Sequence, residues 1–211
     1  GRGGDGVDLG AARGNALTMG ADRSVYVGEV PASGWHCHAA PVLLLGLSGR
    51  FALHLELGRP QHCHSALVDA GVWHLFDPCG ERVALVYLEP DAPEARAMRP
   101  LLGPEGGVML DVARPVASRS TTESALRSFD LPRLLRCKVP DAVAPLDARV
   151  ARSLQALRQP QAARMGRSDL AAGVHLSASR FNHLFRDEMG VSLRSYRVWS
   201  QVRLAMAGLA L

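Results

Sequence analysis

The chain of 211 residues contains no apolar run long enough to span a bilayer, which excludes a membrane-crossing helix. Its longest apolar run, residues 42–47, has the length of a buried strand. Residues 1–22 are rich in glycine and lack the apolar core of a signal peptide, so they read as a flexible N-terminal tail. Cys37, Cys63, Cys79 and Cys137 are spread without a Cys-x-x-Cys spacing, which removes the usual paired-cysteine zinc and redox motifs. No repeat long enough for a solenoid is present. Also missing are a Ser-His-Asp order, a nucleotide loop and a paired-carboxylate motif, so no catalytic role is assigned. Lysine is scarce, and arginine carries nearly all the positive charge.

What is present falls into two parts. The hydrophobic fraction of 47% is that of an ordinary globular protein, and the length allows one large or two modest domains. Residues 147–211 hold ten arginines against four acidic residues, a net charge of +6, whereas the rest of the chain is slightly acidic. The basic excess therefore lies wholly in the C-terminal third, as an electrostatic footprint for a polyanion requires.

From 24 to 89 the chain reads as all-β. Segments 24–30, 42–47, 50–56, 65–68 and 82–89 are apolar or alternating, separated by turns such as Ser33-Gly34, Ser48-Gly49 and Asp69-Ala70-Gly71. Many short strands with frequent turns suggest a small barrel or jelly roll. After Pro90 the pattern becomes helical over 93–102 and 122–135, with a glycine-rich joint at 103–107. The expected fold class is α+β. A β-barrel domain with trailing helices spans 23–139, a linker spans 140–146, and an all-α unit spans 147–211.

The C-terminal unit reads as two short helices, a tight turn and a third helix. Ser168 is a candidate N-cap for a helix over 169–174, and Ser177 is a second. Gly190 stands where a left-handed C-cap is wanted. Between them, Phe181, Leu184, Phe185 and Glu188 follow the i, i+3, i+4, i+7 spacing, the apolar three facing a core. Ser179, Asn182, His183 and Arg186 share the opposite face. Such side chains can read base edges or grip phosphate, and they equally suit the solvated side of an amphipathic helix.

The words LAA (170–172), LSASRF (176–181), LF (184–185) and GVSLRSYR (190–197) resemble the first helix-turn-helix of the AraC/XylS family of bacterial transcription regulators. The resemblance implies a preceding helix over 147–157 and a following helix over 192–211 that carries Leu193, Tyr196, Trp199, Val202 and Leu204. It also implies a DNA-contacting set of Ser177, Ser179, Arg180, Asn182, His183 and Arg186. His175 stands where the family most often has glycine, so the turn is expected to be strained. The family's unit has two such motifs and this chain stops where the second should begin, so a truncated form with a weak grip on duplex DNA is expected. A cytoplasmic homodimer, its contact made by the helices after Pro90, is implied in the same way.

Gly34-Trp35-His36-Cys37-His38, Gly49 and Ala70-Gly71-Val72-Trp73-His74 resemble the cupin-like sensor domain that precedes many AraC/XylS DNA-binding units. His36 and His38 alternate on a strand, so their rings share a face, which a cupin barrel makes its interior. His74 would join them. Three imidazoles can hold Zn, Ni, Cu or Fe with a fourth position open. The carboxylate that metal cupins place shortly after the His pair is missing, because Pro41, Val42 and Leu43 stand there. An organic effector held by histidine hydrogen bonds is the rival. His62-Cys63-His64 repeats the three-letter word, but alternation sends its cysteine to the other face, and an exposed hairpin is the expectation. His54 and Cys79 read as incidental.

The leading functional expectation is a DNA-binding transcriptional regulator controlled by a small effector or metal ion. The alternative is a metal-dependent cupin enzyme, an oxygenase or isomerase, with a helical C-terminal extension. A third class is a binding module that acts by pairing with a full-length partner.

Overall fold

The computed structural model describes residues 15–102, 107–114, 134–136, 138–140 and 143–209. Its strands are β1 (Ala16–Met19), β2 (Arg23–Gly28), β3 (Val42–Gly46), β4 (Phe51–Leu55), β5 (Gln61–Cys63), β6 (Ser65–Val68), β7 (His74–Asp77), β8 (Val83–Leu88) and β9 (Val108–Leu110). They form two antiparallel sheets, ordered β1-β2-β8-β3-β6-β9 and β5-β4-β7. Five expected strands correspond to β2, β3, β4, β6 and β8.

The apolar run at β3 is continuous because both of its faces are covered. Val42 and Leu44 join Phe51, Leu53, Phe76 and Val83 in one core cluster, to which both sheets contribute. Leu43 and Leu45 point the other way, into a second cluster with Val86 and Leu88. That cluster is closed by Ala95 and Met98 of α1 (Pro93–Met98), a helix continued by a 3₁₀ turn over Arg99–Leu102. The period of two thus serves two cores from one strand.

Two expectations need correction. Residues 1–22 are not a free tail throughout, since β1 pairs with β2 in register from Ala16↔Val27 to Met19↔Ser24. His36 and His38 lie in no regular strand; residue 36 makes a single antiparallel bridge to His74. The helix expected over 122–135 falls almost wholly outside the described residues. At its end, Leu135 bridges Ala113 in extended backbone.

The C-terminal unit contains α2 (Ala148–Leu157), α3 (Arg167–Ala172), α4 (Ala178–Met189) and α5 (Leu193–Leu209). Val150, Leu154, Leu170, Val174, Phe181, Phe185, Met189 and Tyr196 are buried together as its core. Ser177 caps α4 by accepting from Arg180 N at 3.3 Å, and Gly190 ends it at φ 73°. His175 adopts φ 59° in the turn between α3 and α4, the conformation expected of it. Ser168, in contrast, is not a cap. The helix starts one residue before it, and Asp169 Oδ2 accepts from Gly166 N at 2.8 Å, which moves the cap to Gly166. Val202 and Leu204 do not share the buried face either, being 43% and 73% exposed, because only the first half of α5 lies on the core. Among the described residues no helix is long and apolar enough to cross a membrane.

Candidate functional site

His36, His38 and His74 converge between the sheets, and one ligand atom from each lies within 4.8 Å of the others. Backbone pairing brings two of them together. His36 N donates to His74 O at 3.0 Å and His74 N to His36 O at 2.9 Å, so both rings leave the same face. Ser33 N extends the contact by donating to Phe76 O at 2.9 Å, and Gly71 N donates to His38 O at 2.7 Å. The rings line a cavity of about 150 Å³ with Val42, Leu44, Phe76, Leu85 and Tyr87.

The chemistry of the cluster suits a cation. Nδ1 of His36 is 2.8 Å from Gly34 O, and Nδ1 of His74 is 2.8 Å from Val72 O. With each Nδ1 donating to its carbonyl, the neutral form of either ring would leave Nε2 as the ligand atom, the backbone arrangement that commonly orients metal-binding imidazoles. Burial, with His36 and His74 alongside, pulls the His38 imidazole down to about 4, and burial also lowers His74. Both rings are neutral at neutral pH, the form that binds metal. The donor set fits Zn, Ni, Cu or Fe. Among the described residues no carboxylate joins the cluster. Burial pushes the Tyr87 phenol up to about 12, so it remains a neutral donor beside the cavity.

The second His-Cys-His word behaves as alternation requires. His62 and His64 are exposed while Cys63 is buried, and burial pushes its thiol up to about 11. A buried thiol held protonated is inert.

Ser179, Asn182, His183 and Arg186 line one groove of about 800 Å³ on the C-terminal unit. Asn182 is half-buried and the other three are exposed. Two of the expected residues stand apart: Ser177 is spent as the helix cap, and Arg180 is exposed outside the groove lining. The groove adds residues that sequence reasoning missed, Arg167 and Ser168 from α3 and Arg194, Arg197 and Gln201 from α5. The regional excess of arginine was the available signal for them.

A junction between the two units was also missed. Trp199 Nε1 donates to Glu89 Oε1 at 3.0 Å, and Arg203 Nε lies 3.1 Å from the same oxygen. Both Trp199 and Glu89 are buried. Burial raises the Glu89 carboxyl despite Arg203 beside it. Arg158 pairs with Asp91 at 2.6 Å, and Arg99 Nη1 donates to Glu188 O at 2.9 Å.

No family profile matches this chain, and no curated protein matches it. Among solved structures it is similar to a protein of Neisseria meningitidis, with 18% identity over 35% of this chain and 81% of that one and a TM-score of 0.32. It is similar to an RmlC-like cupin family protein with a double-stranded β-helix fold from Methanocaldococcus jannaschii, at 14% identity, 40% and 89% coverage and a TM-score of 0.34. A cupin domain from Bordetella pertussis matches at 20% identity, 36% and 93% coverage and a TM-score of 0.28.

Proposed function

We propose that this chain is a DNA-binding transcriptional regulator whose grip on the duplex is set by a metal ion or small effector held in a cupin-like domain. One observation carries the reading: Ser179, Asn182, His183 and Arg186 line a single groove together with Arg167, Arg194 and Arg197. Base-reading side chains on one helix, flanked by arginines from two others, match what a duplex needs in its groove and along its backbone. The histidine cluster supplies the sensing element. His36, His38 and His74 would hold the ion, which contributes charge and fixed geometry when bound.

The test is fluorescence anisotropy of a labelled duplex against salt. With four groove arginines, the affinity should fall with log salt at a slope of roughly −3 to −4. Binding that is absent, or independent of salt, refutes the reading.

The second reading is a metal-dependent enzyme, and the cavity of about 150 Å³ beside the three imidazoles favours it. Such a site leaves a position open for a small reactant. Turnover that depends on the metal and is lost in His74→Ala, with no duplex affinity, would select this reading instead.

A further inference from the structure

Trp199, on α5 of the C-terminal unit, packs against the histidine cluster of the β unit. Its ring centroid lies 6.4 Å from that of His38 and 5.5 Å from that of Tyr87. His38 stands edge-on to Tyr87 at 5.1 Å, so the three rings form a closed contact. Trp199 is 2% exposed and anchored by its bond to Glu89, and Arg203, one turn further along α5, reaches the same carboxylate oxygen. At 3.6 residues per turn, Arg194, Arg197 and Gln201 fall on the side of α5 opposite Trp199, with Val198 between the two faces, and these four line the groove. One helix thus rests on the histidine cluster with one face and walls the groove with the other.

We propose that Trp199 is the positioning residue through which occupancy of the His36–His38–His74 cluster reaches α5 and sets the groove. The inference rests on the reading above, in which the cluster holds an ion and the groove a duplex. A His38 ring held as a ligand loses freedom, and the rings packed on it are constrained with it. The Trp199 indole and the Arg203 guanidinium, one turn apart on α5, share one anchor on Glu89, which links displacement of the ring to displacement of the helix. By linkage, whatever the ion does to duplex affinity, the duplex does to ion affinity by the same factor.

The experiment uses zinc as the probe on the whole chain, in the wild type and in Trp199→Phe. Zinc binding is measured by chelator competition, hydrogen exchange of residues 193–203 with and without zinc, and duplex affinity with and without zinc. In the wild type, zinc should slow exchange along α5 and change duplex affinity at least roughly fivefold. In Trp199→Phe zinc should still bind, while both responses shrink below about twofold. Tyr87→Leu, which removes the ring packed on both His38 and Trp199 and leaves the Glu89 anchor, should reduce both responses at least twofold if Trp199→Phe does not fold. The proposal is overturned if bound zinc leaves α5 exchange unchanged, if the variants keep the full response, or if zinc does not bind. Zinc-dependent protection of α5 without duplex binding would uphold the coupling while refuting the regulator reading.

Discussion

His36 and His74 face each other across two reciprocal backbone hydrogen bonds, with ring centroids 4.4 Å apart. Each ring is turned by a bond from Nδ1 to a carbonyl two residues earlier, Gly34 O and Val72 O. The donor atoms are therefore oriented by backbone before any ion arrives, and preorganised ligands bind more tightly than free ones.

Equilibrium dialysis with elemental analysis should accordingly find about one divalent ion per chain. His36→Ala and His74→Ala should each weaken binding at least roughly tenfold, whereas His62→Ala, on the exposed second word, should not. Equal losses in all three variants would mean that the ion sits elsewhere.

Gly190 ends the helix that carries the groove residues, at φ 73°, and a Cβ there would stand 2.7 Å from Arg99 Cζ. Alanine should therefore incur the left-handed backbone penalty and displace the Arg99 guanidinium from Glu188 O. Urea unfolding should show Gly190→Ala destabilised by about 2 kcal/mol. A loss below about 0.5 kcal/mol would show that neither the turn nor the Arg99 contact is constraining.

Glu89 gives a pH signature. Burial raises its folded carboxyl above the ordinary 4.5, so the native state holds this proton more tightly than the unfolded chain. Its contribution to stability is then fully present below pH 4.5 and is lost as pH rises through the raised folded value. Relative to Glu89→Gln, the wild type should lose stability across that window and then level off. Parallel stability profiles for the two proteins would contradict the burial argument.

On the duplex, two neighbouring groove residues should behave differently. Arg186→Ala should weaken binding to all sequences alike and reduce the salt slope by about one, as loss of a phosphate contact does. Asn182→Ala should instead relax preference at about one base position, at roughly 1–3 kcal/mol. Identical behaviour on specific and random duplexes would show that α4 does not read bases.

Local features were legible from sequence because short-range chemistry decides them. Ser177 and Gly190 mark the ends of α4 through a side-chain cap and a positive φ, and Val42–Gly46 is apolar because two cores meet on it. β1, β5, β7 and β9, of three or four residues, carry too few alternations to stand out, whereas β6, equally short, is marked by the Asp69-Ala70-Gly71 turn that follows it. The error at Ser168 is of the same kind, since a glycine with an Asp three residues on replaced the side-chain cap. The three histidines were legible as a set through their spacing and the cupin resemblance. The backbone bonds that orient them were not. Least legible was the Trp199–Glu89 bond, whose partners are 110 residues apart in the chain, so only the packed tertiary structure reveals it. The sequence places Trp199 on its helix, but its position against His38 follows from how the two units meet.

Selection of tight binders from a randomised duplex pool, run in parallel on the wild type and on Asn182→Ala/His183→Ala, tests the central claim most directly. The wild type should enrich a defined base motif, and the double variant should lose it while keeping residual salt-sensitive affinity. Recovery of the same motif by both proteins, or of no motif by either, would contradict the assignment of this groove to duplex DNA.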